Sequence, residues 1–551
     1  MVARKTSAPG ARTDPPETDM NPLTQEPRME IDGNARAAGT PANADAPWTP
    51  DEPLDAFLGR YRDGLRNVFA DPELERRMAL ERGFPEQGYE LLRQTKPLSA
   101  CIPREHGGRG GPLHEFMGVL ATSSYESLAM SLVMGINGGL FLQPLSKYGS
   151  ESIRGEIYRR FIDHAAMGGL MITEPDFGSD ALSMETCWQE QDDHFTIRGT
   201  KHWAGLTGMA DFWIVAARRC DEGDRLGRDV DFFVCDARDP RQRIEVLELY
   251  NNLGLYIIPY GLNNLDLEVP LDHRFEAPSS GIRMMLDMLY RSRAQFSGMG
   301  MGFLRRLLDE SIEHCRERYV GGRSLLGYDQ VQQRVSRIQA AFTTCSAMCT
   351  FAAENAGVDR DLYTDGVPHN SIKSVLTDLM QDAAQSLLQL AGGSGFRLDH
   401  IAGRSLVDSR PFQIFEGSND ILYQQISESV LKSMRKVKES NLYRFLSDYE
   451  FTGRASDSLR DLFDFEIDFG LPQRRLVELG QILGRTLSME MAIEAGERGF
   501  RDDLVRGALE VLREDIERIL SSYQRARETA VVEDYEQGSS WLSLVTQPDG
   551  A

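Results

Sequence analysis

The spacing of apolar residues divides the chain into helical and strand-like regions. Over 51–165 the apolar positions recur at helical intervals, which predicts an N-terminal helical domain with a glycine-rich loop at 107–111. Over 166–275 the pattern changes to alternation, as in Phe195 and Ile197, and predicts a small β-barrel or sandwich domain. The clearest predicted strands are 194–203, 212–217, 231–235 and 265–269.

The helical period returns over 276–440 and predicts a C-terminal four-helix bundle. Its longest segments are 284–316, 330–356 and 372–390. The region 441–551 is predicted to be an additional helical extension with a frayed end. Residues 1–50 are rich in Pro, Ala, Thr and Asp and are predicted to be a disordered tail. The expected fold class is therefore α+β and mostly α.

The amino-acid composition limits the kinds of molecule that the protein is expected to bind. The 61 Lys and Arg residues against 84 Asp and Glu residues give a net charge of -23, which disfavours nucleic acid and anionic membranes. We find no apolar run long enough to cross a bilayer and no hydrophobic stretch near the start, so we expect neither an integral membrane segment nor a secretory signal. The seven scattered Cys residues indicate reduced thiols in a cytoplasmic protein. Cys345 and Cys349, four residues apart, are expected in the core.

Four segments stand out, although each has an ordinary explanation by itself. MITEPDFGSDA at 171–181 is a good turn, and Trp203 after TKH is typical of a half-buried core aromatic. The glycine cluster in 389–396 is typical of a helix C-cap. In IFEGSNDILYQQI at 414–426, Glu416 directly precedes a predicted helix start, and most isolated glutamates are solvated surface residues.

In order and spacing these segments resemble the signature motifs of the acyl-CoA dehydrogenase family over about 55–435. Thr173–Asp180 corresponds to TEPxxGSD, Gln389–Phe396 to QxxGGxGY, and Phe415–Ser418 to YEGT. ERYVGGRSLLG at 317–327 occupies the place of the family's arginine-and-glycine segment. The chain resembles larger family members that carry a C-terminal helical extension.

The resemblance implies an FAD-dependent α,β-dehydrogenation of an acyl thioester, presented by CoA or a carrier protein, to the trans-2-enoyl product. Glu416 would remove the α-proton while a hydride leaves the β carbon for flavin N5. Exclusion of water raises the pKa of a carboxyl towards working pH, which suits a base. A flavin is needed because no side chain accepts a hydride.

The resemblance also implies a set of binding residues. Thr173 would contact the flavin pyrimidine edge, Ser179 the phosphate region, and Trp203 the isoalloxazine, while Ser418 and Asn419 would contact FAD at a helix start. Residues expected to grip FAD from a neighbouring subunit are Arg318, Gln389, Gly392 and Gly393. Residues assigned to the substrate site are Gly417 and Arg293. A structural salt bridge is an equally weighted explanation for Arg293.

Three positions depart from the family pattern. Gly205 stands where a Thr or Ser usually bonds flavin N5, so that contact is either lost or supplied by Thr207. Gly321 replaces an aromatic residue, and Val407 replaces a common arginine. These changes leave open an acyl-CoA oxidase, or another flavin oxidase or monooxygenase on the same fold, although monooxygenases generally lack the base.

The assembly and the partners are further expectations from the resemblance. In larger family members a similar extension covers the face that is otherwise used for tetramer assembly. We therefore expect a homo-oligomer, with a dimer favoured over a tetramer. An electron-transfer flavoprotein or similar acceptor would take the electrons. A non-catalytic scaffold that kept the fold is a third, minority possibility.

Overall fold

The structure is a computed structural model that describes residues 48–221, 223, 225–277, 279–525, 530–535 and 537. The predicted disordered tail lies almost entirely outside these residues, and so does the predicted frayed end.

Seven helices form the N-terminal part of the described chain. They are α1 (Leu54–Phe69), α2 (Pro72–Glu81), α3 (Glu86–Thr95), α4 (Leu113–Glu126), α5 (Leu128–Asn137), α6 (Gln143–Tyr148) and α7 (Glu151–His164). On α1 the completely buried residues are Phe57, Tyr61 and Leu65, one every helical turn, because a single face of the helix packs on the core. The Tyr61 hydroxyl lies 2.8 Å from that of Ser123, which ties α1 to α4.

One helical stretch is more apolar than we expected. A π-helical turn at Gly138–Leu142 joins α5 to α6, and the resulting 21 residues from Leu128 to Tyr148 are long and apolar enough to cross a membrane. However, 94% of that apolar window is buried inside the protein. A Cβ on Gly138 would lie 2.2 Å from the Phe116 ring, so a glycine is required for this close packing. The stretch therefore forms part of the protein core.

The middle region is a curled sheet. Its strands are β1 (Gly168–Met171), β2 (Cys187–Glu190), β3 (His194–His202), β4 (Phe212–Arg219), β5 (Asp231–Asp236), β6 (Gln242–Leu249) and β7 (Gly261–Pro270). The order is β1-β4-β2-β3-β7-β6, with β5 paired to β4. The central pair β3 and β7 is antiparallel, and it aligns Ile197 with Leu267 on the buried face. All four predicted strands are present.

Helices return after the sheet. The bundle consists of α8 (Gly281–Glu317), α9 (Asp329–Asn355), α10 (Gly366–Ala391) and α12 (Asn419–Val437), with α11 (Ile401–Ser409) between the last two. The extension consists of α13 (Leu442–Asp448), α14 (Gly453–Asp457), α15 (Arg460–Phe463), α16 (Gln473–Glu497) and α17 (Asp502–Gln524). This order of helices, strands, helices and extension confirms the predicted fold class.

The extension packs directly on the bundle. Helix α16 contacts α9, α10 and α12, while α17 contacts α9 and α16. A Cβ on Gly480 would lie 2.0 Å from the carbonyl oxygen of Tyr423, and one on Gly484 would lie 3.0 Å from Val375. Gly480 therefore allows α16 to approach the backbone of α12 closely, and Gly484, one helical turn later, allows close packing on Val375 of α10.

Candidate functional site

The loop before α12 turns the Glu416 side chain towards the bundle. Glu416 has φ 54° and Gly417 has φ 92°, so two successive residues adopt left-handed backbone. For a residue with a Cβ this conformation costs about 1–2 kcal/mol. The preceding Phe415 packs against Phe412 and Phe296, with ring centroids 4.9 and 5.8 Å away. These aromatic contacts hold the strained turn in place.

The Glu416 carboxylate lies against α8 with one oxygen occupied. The Ser292 hydroxyl donates to Oε1 at 2.9 Å. Oε2 is buried and accepts no hydrogen bond from any residue that the structure describes. Burial raises the pKa of Glu416, and the charge of Arg293, the Ser292 hydrogen bond and the charge of Lys373 oppose that rise. The carboxylate is therefore held firmly while one oxygen remains available to accept a proton.

Arg293 holds the backbone of the same loop. Its Nε and Nη2 donate to the Glu416 carbonyl oxygen at 3.0 and 2.7 Å, and its Nη1 donates to Oδ1 of Asn370 at 2.7 Å. The side chain is 5% exposed. These contacts show a structural role in which a backbone carbonyl, not a carboxylate salt bridge, is the main partner. A contact of Arg293 with substrate stays a prediction.

Lys373 of α10 supports the part of the loop that follows Glu416. Its Nζ donates to the Gly417 carbonyl oxygen at 2.8 Å and to Oδ1 of Asn419 at 3.0 Å. Burial, with repulsion from Arg293, lowers the pKa of Lys373 to about 7. A buried ammonium group near its pKa thus contributes positive potential at the Glu416 carboxylate.

A second set of residues lies on the sheet side. The turn after Thr173 is fixed by Glu174, whose carboxylate accepts from Nζ of Lys201 at 2.8 Å and from the Thr186 N–H at 2.9 Å. The backbone N–H of His202 donates to the Thr173 carbonyl oxygen at 3.0 Å. Burial lowers the pKa of Lys201 to about 8, although the carboxylate of Glu174 opposes this. The buried ion pair holds the turn beside the end of β3.

Trp203 connects the sheet side to Glu416. It has φ 54°, and its side chain is 51% exposed. Its ring centroid lies 4.6 Å from that of Tyr250 and 6.1 Å from that of Tyr260. Burial and the charge of Glu416 both raise the pKa of Tyr260, so this tyrosine is near the carboxylate as well as near the indole. Tyr260 thus links Trp203 to the surroundings of Glu416.

The structure shows the local packing at Gly205 and Thr207. A Cβ on Gly205 would lie 2.7 Å from Cδ1 of Ile136, so the loop packs where a side chain would stand. The Thr207 hydroxyl is buried, donates to the Ala204 carbonyl oxygen at 2.8 Å and accepts from Nδ2 of Asn263 at 3.2 Å. The single donor hydrogen of Thr207 is thus used within the domain, and a contact of Thr207 with flavin N5 stays a prediction.

The remaining predicted cofactor residues lie at the other end of the bundle. Arg318 ends α8, about 37 Å along that helix from Arg293 at ~1.5 Å per residue. Gln389, Gly392 and Gly393 end α10, where Gly392 has φ 62° and open space around the position of a Cβ. One chain therefore does not bring them to its own Glu416. Their service to a neighbouring subunit stays a prediction.

The departure at Gly321 has a local explanation. Gly321 and Gly322 have φ 58° and 84°, and they form the two-residue turn of a hairpin between Tyr319–Val320 and Arg323–Ser324. A tight hairpin turn favours positive φ at both central residues, which glycine adopts without strain.

The site residues fit a flavin. The half-exposed indole of Trp203 offers a face for a ring, and Thr173 is partly exposed beside it. Ser179 is exposed in the turn, and Ser418 forms the N-cap of α12, where N–H groups favour phosphate oxygens. Asn419 is different, because it is 7% exposed and both ends of its amide bond within the protein. Its side chain supports the loop, so a contact with FAD would require its backbone.

Sequence reasoning missed several of these residues. Ser292 directly precedes Arg293, and a hydroxyl beside a candidate arginine was the available signal. Lys373 interrupts a buried helical run, which is itself unusual for a lysine.

The seven cysteines are free, and Cys345 is buried as expected, with Cys349 half-buried. Within the described residues no cluster of three His, Cys, Asp or Glu side chains could hold a metal.

Comparison with known proteins agrees with this architecture. Three family models match, described as Acyl-CoA dehydrogenase, N-terminal domain (57–164), middle domain (169–265) and C-terminal domain (279–431). The glutaryl-CoA dehydrogenase of Desulfococcus multivorans is 24% identical over 348 residues, 62% of this chain and 87% of that protein.

Solved structures show the same fold. An acyl-CoA dehydrogenase complexed with FAD from Bacillus anthracis has a TM-score of 0.70 at 17% identity, and the match covers 88% of this chain and 91% of that one. The prolyl acyl carrier protein oxidase AnaB has a TM-score of 0.61 at 16% identity, covering 68% of this chain and 98% of that one. With all three family domains present in order, the chain belongs to the acyl-CoA dehydrogenase family.

Proposed function

We propose that this protein oxidises an acyl thioester between its α and β carbons, with FAD as hydride acceptor and Glu416 as the base. The observation that carries the proposal is the state of the Glu416 carboxylate: Ser292 holds one oxygen, and the other is buried without a partner among the described residues. A buried carboxylate with a raised pKa and a free oxygen is suited to accept a proton.

The chain supplies orientation and charge for this step. Ser292 and Arg293 fix the side chain and the backbone of Glu416, so its free oxygen keeps one direction. The positive charges of Arg293 and Lys373 favour the ionised carboxylate that the reaction needs. The backbone N–H of Glu416 is the proposed donor to the thioester oxygen, where negative charge develops as the α-proton leaves.

FAD is the proposed cofactor because the site residues fit it and because family members of the same fold have been solved as FAD complexes. When bound, the flavin supplies the hydride acceptor. Residues proposed to hold it from the same chain are Thr173, Ser179, Trp203, Ser418 and Asn419. Those proposed to hold it from a second copy are Arg318, Gln389, Gly392 and Gly393.

The substrate and the electron acceptor are proposed at the level of class. The substrate is an acyl group on CoA or on a carrier protein, bound beside Gly417, and the acceptor is an electron-transfer flavoprotein or a similar protein. A dimer is proposed over a tetramer because α16 and α17 cover the outer faces of α9, α10 and α12.

An anaerobic screen tests the proposal. Purified holoprotein is mixed with short, long, branched and aromatic acyl-CoA and acyl-carrier-protein thioesters, and the visible absorbance of the oxidised flavin is followed. We expect bleaching with at least one thioester, matched by formation of its 2-enoyl product. A colourless protein that takes up no FAD would contradict the proposal and favour a scaffold.

An oxidase is a second candidate, and one observation favours it. Gly205 has no hydroxyl, and the hydroxyl of Thr207 bonds within the domain, so the environment expected near flavin N5 is altered. Release of stoichiometric peroxide during turnover in air would identify an oxidase, whereas slow release and rapid reduction of a protein acceptor would identify a dehydrogenase.

A further inference from the structure

The extension places one arginine in the interior of the bundle. Arg485 of α16 is 6% exposed, and its Nη2 lies 3.8 Å from Oδ2 of Asp378 on α10. Its Nη1 donates to the carbonyl oxygen of Gln481 at 3.1 Å, and its Nε lies 4.0 Å from Oδ2 of Asp515 on α17. A guanidinium of the extension thus lies between a bundle carboxylate and a carboxylate of its own neighbouring helix.

Asp378 holds residues on both sides of the Glu416 loop. Its Oδ1 accepts from Nε2 of Gln413 at 2.7 Å and from Nδ2 of Asn419 at 2.7 Å. Its Oδ2 accepts from the hydroxyl of Tyr423 at 2.7 Å. Gln413 lies before Glu416 and Asn419 lies after it, so one carboxylate fixes both ends of the loop.

The contacts continue from Asn419 to the base. Oδ1 of Asn419 accepts from Nζ of Lys373 at 3.0 Å, and the same Nζ donates to the Gly417 carbonyl oxygen at 2.8 Å. A continuous series of polar contacts therefore runs from Arg485 through Asp378 and Asn419 to the residue next to Glu416.

We infer that Arg485 is a positioning residue, through which the C-terminal extension holds the Asp378 side chain in place and so fixes the loop that carries Glu416. The Asp378 carboxylate accepts three hydrogen bonds, and the guanidinium of Arg485, 3.8 Å away, is the opposite charge that compensates it in this half-buried position. Removing one partner of such a buried pair leaves an uncompensated charge, which is strongly unfavourable. Without Arg485 the Asp378 side chain loses its ionic partner, and the loop loses a support.

The first test measures the loop itself by amide hydrogen exchange of the full-length holoprotein. Arg485→Met is compared with Arg498→Met. Arg498 is an exposed arginine at the end of the same helix, and it pairs with Glu354 and Glu494. We expect exchange over 413–423 to become about fivefold to tenfold faster in Arg485→Met, which corresponds to about 1 kcal/mol. Arg498→Met is expected to leave these amides unchanged. Unchanged exchange in Arg485→Met would overturn the inference.

The double variant Asp378→Asn/Arg485→Met covers the case in which Arg485→Met does not fold. It removes both charges, so it is expected to fold and to bind FAD. An amide oxygen accepts weaker hydrogen bonds than a carboxylate, so exchange over 413–423 should still exceed that of the wild type. Exchange in the double variant at the wild-type level would overturn the inference.

The second test rests on the proposed function and uses anaerobic flavin reduction by a reactive thioester. Arg485→Met is expected to lower the reduction rate constant about tenfold and to change substrate Kd by less than about threefold, since a positioning defect acts on the reacting geometry. Equal losses in Arg485→Met and Arg498→Met would show a general packing effect and overturn the inference. The exchange result does not depend on catalysis, so a different base would overturn the proposed function and leave the positioning of the loop intact.

Discussion

The Ser292 hydroxyl donates to Oε1 of Glu416 across 2.9 Å, although the two residues are 124 positions apart in the chain. The bond joins the central helix of the bundle to the loop that precedes α12. It leaves Oε2 buried without a partner among the described residues, so the carboxylate is both oriented and able to accept a proton.

The first prediction concerns Ser292→Ala. The Ser292 hydrogen bond lowers the pKa of Glu416, so its loss should raise that pKa further. Because the base acts when ionised, the acid limb of the rate profile should move to higher pH. On that limb flavin reduction should slow about tenfold, since a hydrogen bond to a charged group contributes about 1.5–3 kcal/mol. Anaerobic stopped-flow reduction across pH gives the profile.

Ser297→Ala is the matched control for this prediction. Ser297 is also buried on α8, but its hydroxyl donates to the Ala294 carbonyl oxygen at 2.7 Å. Its profile should follow that of the wild type. Superimposable profiles for both serine variants would show that Ser292 does not tune the base.

The second prediction concerns Lys373 and stability. Burial lowers the pKa of Lys373 from 10.5 to about 7, so above pH 7 the folded state binds fewer protons at this site than the unfolded state. Below pH 7 the burial of the charged Lys373 lowers the free energy of unfolding by a constant amount. Between pH 7 and 10 the free energy of unfolding should rise as the buried lysine becomes neutral. Relative to Lys373→Met, the wild type should gain about 2 kcal/mol between pH 7 and pH 9.

Urea unfolding of both proteins at several pH values measures this difference, because every other titrating group is common to the pair. A difference that stays constant from pH 7 to pH 9 would mean that Lys373 keeps its ordinary pKa.

The third prediction concerns the packing at Gly205. A Cβ there would lie 2.7 Å from Ile136, so Gly205→Ala should lower the free energy of unfolding by about 1–3 kcal/mol. Gly507→Ala is the control, because that position on α17 has nothing within 4 Å of a Cβ and alanine favours a helix. Denaturant unfolding should therefore show opposite signs for the two variants. Full stability in Gly205→Ala would show that the loop can move aside.

The fourth prediction concerns assembly. If α16 and α17 cover the bundle face, light scattering of the purified protein should give twice the 61.9 kDa chain mass. A stable tetramer at low micromolar concentration would contradict the proposed dimer.

The fold class and the place of Glu416 just before a helix could be predicted from sequence for physical reasons. Apolar periodicity separates buried helices from half-buried strands, and β3 shows this clearly, because Phe195 and Ile197 are buried and alternate with more exposed residues. Strands β1, β2 and β6 of the main sheet were missed, and β1 and β6 were missed for opposite reasons. Two glycines give β1 no side-chain pattern, and β6 is an edge strand whose Leu247 and Leu249 are exposed.

The supports of the base could not be predicted, because they depend on how the helices align. Ser292 and Lys373 lie on different helices, and only the register of α8 and α10 against the loop brings both beside Glu416. Arg485 lies still further along the chain, in a region whose sequence predicts helices but no particular partner. Motifs identify a local turn, whereas the electrostatic environment of the base depends on tertiary packing.

The most direct test of the proposed function is anaerobic flavin reduction by Glu416→Gln, with Glu428→Gln as control. Glu428 lies on α12 with its side chain exposed, accepting from Gln424. We predict that Glu416→Gln retains bound FAD and binds a reactive acyl thioester, yet its flavin is not bleached, whereas Glu428→Gln is bleached at the wild-type rate. Bleaching of Glu416→Gln at the wild-type rate would contradict the assignment of Glu416 as the base.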